Sequence, residues 1–208
     1  MNGPNVMPAP PNSVERSRVS DRVGFLGQYL QNPRQVGSLT PSSGALARAM
    51  VRELPLDATR TVVEYGPGTG ALTRSILEGL PMDARYFALE PNPVFRDQLR
   101  ARFPRVQVID GGAERAESHL GHLTGQVDAV FSGIPLSIMS CTSLMRTLAN
   151  TSRLLRPGGC FRIFLYHHIY YLPKVVGLRK LLARHFQDVR AQRVWANLPP
   201  AVVVSCIK

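Results

Sequence analysis

Cysteine is scarce in this chain of 208 residues, and the three present, Cys141, Cys160 and Cys206, are far apart and unclustered. That spacing suggests neither a disulfide framework nor a metal site, and a reducing cytosolic compartment fits it best. No stretch approaches the roughly 20 apolar residues needed to cross a bilayer. Residues 1–12 carry four prolines, no positive charge and no apolar centre, which does not fit a secretory leader. Acids are also few, 14 against 25 basic residues, and lysine is nearly absent, since only Lys174, Lys180 and Lys208 are not arginine. The resulting charge of +11 suits a polyanion, either nucleic acid or an anionic membrane surface, and charge alone does not choose between them. At this length one domain with a full core is expected, and a second would be cramped.

What is present is a regular alternation. Residues 1–12 read as a disordered lead, 13–58 as N-terminal helices, and 59–208 as the main domain. In the first helix, from Ser13 to about Gln31, Val19, Val23, Leu26 and Leu30 form one apolar stripe. Phe25 and Tyr29 widen the stripe, and Arg18 and Arg22 flank it. Thr40-Pro41 opens a second helix running to about Leu54. Strands are expected near 61–65, 85–89, 106–109, 127–131 and 160–166, separated by helices near 71–80, 93–103, 113–120 and 142–155. That order means a doubly wound α/β domain with a mostly parallel sheet. A helix near 174–186 and two strands near 189–195 and 202–207 follow. Asn197-Leu198-Pro199-Pro200 joins those strands as a hairpin, making the last one antiparallel.

The segment Thr61-Val-Val-Glu64-Tyr-Gly66-Pro-Gly68-Thr69-Gly70 is the most specific signal. It is a buried strand entering a glycine turn ahead of a helix, where backbone approaches a ligand. Glycines two apart throughout do not fit the dinucleotide pattern Gly-x-Gly-x-x-Gly, and no Gly-Lys-Ser/Thr follows to make a P-loop. The acid at the strand end disfavours a phosphate and suits a cationic or hydroxyl-rich molecule. Glu90, ending the second strand about 20 residues later, can accept hydrogen bonds from both ribose hydroxyls, or cap the next helix as a surface acid.

This turn resembles the S-adenosylmethionine turn of class I methyltransferases. The resemblance implies a Rossmann-like sheet of seven strands and S-adenosylmethionine as cofactor, with S-adenosylhomocysteine as product. It places cofactor contacts at Glu64, Gly66, Gly68, Thr69 and Gly70, at Glu90 and Pro91, and at Ser132. The loop after the third strand would cover the adenine, through Asp110, Gly112, Ala113 and Glu114.

Within that superfamily the chain resembles the soluble bacterial phospholipid N-methyltransferases, which methylate phosphatidylethanolamine stepwise toward phosphatidylcholine. The match runs from Phe25-Leu-x-x-x-Leu30-x-Asn32-Pro33-Arg34-x-Val36-Gly37-Ser38 through Glu64-x-Gly66-Pro67-Gly68-Thr69-Gly70. It continues in Ser132-Gly133-Ile134-Pro135-Leu136 and closes with Asn197-Leu198-Pro199-Pro200-Ala201. Where relatives read Gly-Asp-Ala after the third strand, this chain reads Gly111-Gly112-Ala113, so Asp110, Glu114 or backbone alone must replace the missing acid. A second resemblance, to rRNA adenine dimethyltransferases, is opposed by Gly133 and Leu136, which stand where those enzymes place an Asn and a base-stacking aromatic. A catalytically inactive module of the same fold is a third alternative, which the intact Glu64, Gly66, Gly68, Gly70 and Glu90 oppose.

The phospholipid resemblance implies further roles. Gly133, Ile134, Pro135 and Leu136 would meet the methyl acceptor. A primary amine is protonated at pH 7 and must lose that proton before attack, so a base is needed. Tyr29, Tyr166, His167 and His168 are the candidates, and Tyr170 and Tyr171 would hold the methylated cation on their ring faces. Arg18, Arg22 and Phe25 would dock the first helix on an anionic bilayer, unless its stripe packs on the sheet instead. Lys174, Arg179, Lys180, Arg184 and Arg190 form a further basic set, which a solvated helix face also explains. The expected enzyme is a monomer, without nucleic acid, in the cytoplasm and peripheral to the inner face of the cell membrane.

Overall fold

The computed structural model describes residues 44–208. The N-terminal helix expected at 13–31, with Arg18, Arg22, Phe25 and Tyr29, lies outside the described residues. Seven strands form one sheet: β1 (Thr61–Tyr65), β2 (Arg85–Leu89), β3 (Val106–Ile109), β4 (Val127–Ser132), β5 (Leu155–Tyr166), β6 (Asp188–Val194) and β7 (Ala201–Ile207). Their order is β3-β2-β1-β4-β5-β7-β6, parallel throughout except β7, which runs antiparallel to both neighbours. This is the mostly parallel seven-stranded Rossmann-like sheet expected. The order reverses between β1 and β4, so the carboxyl ends of those strands open the crevice where such folds bind ligands.

Helices cover both faces. On one side α1 (Gly44–Val51), α2 (Ala71–Leu77) and α3 (Pro93–Arg102) pack Leu46, Met50, Ile76 and Leu99 against Val62, Tyr86 and Phe131. On the other, α4 (Ala116–Leu120), α5 (Cys141–Leu154) and α6 (Pro173–His185) pack Leu120, Leu148 and Leu182 against Val63, Tyr65 and Phe161. β1 is buried on both faces, as its run of β-branched residues requires. Pro173 occupies the first turn of α6, and the Asn92 side chain caps α3 by accepting from the amides of Val94 and Phe95.

Three local expectations change. The first is α1, which ends at Val51 rather than near Leu54 and buries Leu46, Ala47 and Met50 against the sheet as part of the core. Arg162, in the middle of β5, explains its anchorage. Its Nη1 donates to the carbonyls of Ala49, Met50 and Arg52, at 3.3, 3.0 and 2.6 Å, and so closes the helix's carbonyl end. Second, the strand expected near 160–166 begins at Leu155, so Arg156-Pro157-Gly158-Gly159 belongs to β5. Leu155 pairs with Val127 and Cys160 with Ala129 across a register shift, and the amide of Gly158 donates to the carbonyl of Lys208. Third, the helix expected at 113–120 divides into a 3-10 turn, Ala113–Arg115, and α4.

Candidate active site

The glycine turn is built by contact between two strand ends. Gly66 and Gly68 have φ of 62° and 56°, which glycine adopts without strain. A Cβ on Gly66 would fall 2.5 Å from Ile134 Cγ1, and one on Gly133 would fall 2.6 Å from the Gly66 carbonyl oxygen. The β1 and β4 loops therefore touch through their glycines, joined by a bond from the Gly133 amide to the Tyr65 carbonyl at 2.8 Å. Above Gly68 the space is open. Gly70, with φ of 80°, serves packing as well: a side chain there would strike Phe103 and come within 3.1 Å of Leu99. The exposed Thr69 turns its carbonyl to Arg102, at 2.6 Å.

Glu90 is held at the edge of this turn. Its Oε2 accepts from the Gly68 amide at 3.0 Å and its Oε1 from the Asn92 amide at 2.9 Å. Burial raises its pKa, against the two amides and Arg96, which favour the charged form. Each carboxylate oxygen keeps a free lone pair, so both can accept from a vicinal diol while the amides fix their direction. Arg96 secures the approach. One of its nitrogens donates to the carbonyls of Glu90 (3.2 Å) and Pro91 (2.7 Å) and to Asp110 Oδ1 (2.9 Å). Sequence reading missed Arg96; its place in the first turn of the helix that follows Glu90 was the available signal.

Glu64 is turned away from that opening. Fully buried, its Oε2 accepts from Thr73 Oγ1 at 2.6 Å and Tyr86 Oη at 2.7 Å, while Oε1 has no partner among the described residues. Burial pushes its pKa up to about 7 despite those two hydrogen bonds. The expected cofactor contact therefore sits one layer below the glycine turn, as the post on which α2 and β2 rest.

The adenine loop has a clear arrangement. Asp110 is exposed and paired with Arg96, so it braces the end of β2 rather than facing inward. Gly112 has no side chain, but a Cβ built on it would fall 2.7 Å from Glu114 Oε1 and 2.8 Å from Glu114 Cδ. The carboxylate of Glu114 thus occupies the volume where a side chain at 112 would begin, and no described residue hydrogen-bonds it. Ala113 is fully buried beneath the loop.

The β4 loop also sorts its residues. The Ser132 hydroxyl bonds within its own turn, to the amide of Ile134 at 3.2 Å and its carbonyl at 3.3 Å. Leu136, expected to meet the acceptor, is buried in the core beneath α5 and α6, because the chain turns inward after Pro135. Gly133, Ile134 and Pro135 remain at the opening, partly exposed.

Past β5 the aromatic cluster divides in two. Tyr166 and the exposed His168 stack at 5.8 Å on one side, where burial raises the Tyr166 hydroxyl's pKa. On the other, His167 meets Tyr171 at 6.0 Å and Trp195 at 5.0 Å. Tyr170 is buried, and the Arg179 guanidinium lies 4.4 Å over its ring, so that face already holds a cation.

A glycine cradle beside a strand-end acid that can take a diol fits the nucleoside of S-adenosylmethionine. The comparisons agree. A family model described as a methyltransferase domain matches residues 62–159. Ornithine lipid N-methyltransferase of Singulisphaera acidiphila is 33% identical over 187 residues, covering 88% of this chain and 93% of that protein. Among solved structures, Burkholderia thailandensis 1,6-didemethyltoxoflavin-N1-methyltransferase, with bound S-adenosylhomocysteine, superposes with a TM-score of 0.64 at 21% identity, over 97% of this chain and 93% of that one. Aeropyrum pernix fibrillarin, in complex with S-adenosylmethionine, gives 0.57 at 16% identity, over 78% and 72%. The chain belongs to the class I methyltransferases that use S-adenosylmethionine, in the family of the Singulisphaera ornithine lipid enzyme.

Proposed function

We propose that this protein methylates the amine of a membrane lipid headgroup. The observation that carries the reading is its identity to a lipid N-methyltransferase along nearly the whole of both chains. Two headgroups fit. Phosphatidylethanolamine, with its mono- and dimethyl derivatives toward phosphatidylcholine, follows from the Ser132–Leu136 and Asn197–Ala201 segments. Ornithine lipid follows from the relative's name. Both present a primary amine beside an anionic group. The buried Leu136 gives no stacking surface for a nucleobase, which disfavours the RNA alternative.

When bound, S-adenosylmethionine supplies an electrophilic methyl group for in-line transfer. Glu90 would hold the ribose diol, Gly66 and Gly68 would let the backbone approach, and Glu114 would take the adenine amino group in place of the absent acid at 112. Gly133, Ile134 and Pro135 border the acceptor amine, so that alignment supplies most of the catalysis. His168, exposed and stacked on Tyr166, accepts the proton that the amine must lose, directly or through water. The ring of Tyr166, in the same half of the cluster as His168, suits the increasingly methylated cation.

The test is incubation of the full-length protein with labelled S-adenosylmethionine and liposomes containing phosphatidylethanolamine, ornithine lipid or neither, followed by lipid extraction and chromatography. Label in one amino lipid is expected and identifies the headgroup. Cofactor bound normally with no label in either lipid discards the reading, and undermethylated ribosomal RNA becomes the next substrate to try.

A further inference from the structure

The hairpin joining β6 to β7 turns at the same edge of the sheet as the glycine cradle. Tyr166, Val194 and Ala201 stand in register there, and β6 runs parallel to β5 and β4. From β4 to β6 is three strand spacings, roughly 14 Å. Around this hairpin lies a group of large apolar side chains in water: Tyr171, Leu172, Trp195 and Leu198 are 62%, 51%, 63% and 82% exposed. They are half of the eight large exposed hydrophobics among the described residues, so the grouping is not the scatter expected of an ordinary surface.

The rim is rigid rather than loose. The His167 amide donates to the Pro200 carbonyl at 2.8 Å, and the Asn197 side chain, itself buried, donates to the Pro199 carbonyl at 2.6 Å. With Asn197 turned inward, Leu198 is left facing out. The His167 ring packs on both Trp195 and Tyr171, whose hydroxyl accepts from Arg193 at 3.3 Å. The charge around the rim is of one sign. From His167 to Pro200 the only acid is Asp188, paired with Arg190 at 2.7 Å, against six arginines and lysines. Arg193 and Lys174 are exposed beside the rim.

We propose that this rim docks the protein on an anionic lipid bilayer, with Trp195, Tyr171 and Leu198 in the interfacial layer and Arg193 and Lys174 at the headgroups. Tryptophan and tyrosine favour that layer because one end of each ring is apolar and the other polar, and basic side chains beside them meet the negative surface potential. Aromatics with arginine also suit single-stranded nucleic acid. The outward Leu172 and Leu198 have no use there and a clear one in lipid. The proposal rests on the amino-lipid reading and gives it a geometry, since the edge that holds the cofactor cradle then faces the membrane.

The test uses a feature of the chain itself: Trp195 is its only tryptophan. The full-length protein is titrated with phosphatidylcholine vesicles, with and without phosphatidylglycerol, and with single-stranded RNA, while tryptophan emission is followed. A blue shift with the anionic vesicles, quenched by bromine-labelled acyl chains, is expected. Because emission reports this residue alone, binding through another segment leaves it unshifted, and an unshifted spectrum overturns the proposal. A shift with RNA and none with vesicles overturns it in favour of nucleic acid. Leu198→Asp and Leu172→Asp should each weaken vesicle binding about tenfold and leave S-adenosylmethionine affinity unchanged, which also shows that the variants fold. Vesicle binding unchanged in both variants also overturns it. Methyl transfer to detergent-dispersed amino lipid separates the two readings: transfer there without a vesicle-induced shift sinks the rim alone, and a shift without any transfer sinks the substrate alone.

Discussion

Three glutamates near the glycine turn act in different ways, and each has its own test. Glu90 holds the Gly68 amide and can take the ribose diol, so Glu90→Ala should raise the cofactor Kd by roughly ten- to a hundredfold, measured by titration calorimetry. An unchanged Kd would remove Glu90 from the site. Glu114 fills the volume a side chain at 112 would occupy. Glu114→Ala should weaken cofactor binding about tenfold, and Gly112→Asp added to it should restore binding. The backbone at Gly112, with φ of −92°, accepts any residue, and the Glu114 carboxylate is what obstructs a side chain there. Gly112→Asp alone should therefore bind poorly, and a double variant no better than Glu114→Ala would show that the acid is not needed. Glu64 titrates with folding. Its folded pKa, raised to about 7 by burial, lies above its unfolded value of 4.5. The folded state therefore holds the extra proton, and the stability this gives is present below pH 4.5 and lost as pH rises through 7. Thermal unfolding should show stability falling across that window by about 3 kcal/mol, and Glu64→Gln should flatten the slope.

The strands were legible because the pattern that makes them is local. Apart from Glu64 the run Thr61–Tyr65 is β-branched or aromatic, and six of the seven strands fall within a residue of their expected bounds. The glycine turn and Glu90 were legible for a similar reason, since φ above zero and a strand-end acid leave marks in single residues. What sequence could not give is where polar side chains find distant partners. Glu64 reads as a ligand contact until Thr73 and Tyr86 are seen to hold it. Arg162 is the plainest case, a charge inside Cys-Phe-Arg-Ile-Phe-Leu with no local reason to be there. Its partners are carbonyls more than a hundred residues earlier, at the end of α1. Arg162→Met should leave those carbonyls unpaired and lower the unfolding free energy by about 2–4 kcal/mol, read from the urea midpoint. The same midpoint in the variant would mean that water serves the helix end equally well. The split of the aromatic cluster was also out of reach. Alternation along Tyr166-His167-His168 says that neighbours point apart, but not that Trp195, just past β6, meets only one of them.

The whole molecule carries +11 charges, and the consequence depends on what it meets. The ion pairs among the described residues, such as Arg96 with Asp110 and Arg153 with Glu117, use only part of the arginine. The remainder produces a positive potential that draws the protein to any anionic surface. Such attraction acts across water and is screened, with a Debye length of about 10 Å at 0.1 M salt and about 3 Å at 1 M. The cofactor cradle works by contacts at hydrogen-bond distance and is not screened in this way. Raising sodium chloride from about 0.05 to 0.5 M should therefore lower the rate of methyl transfer on anionic vesicles by tenfold or more. Cofactor affinity should change little, and so should transfer to lipid dispersed in uncharged detergent. Measuring all three in one salt series places the effect. A parallel fall in all of them would mean that salt acts on the fold, and a flat rate on vesicles would leave the arginine excess without a part in reaching the substrate.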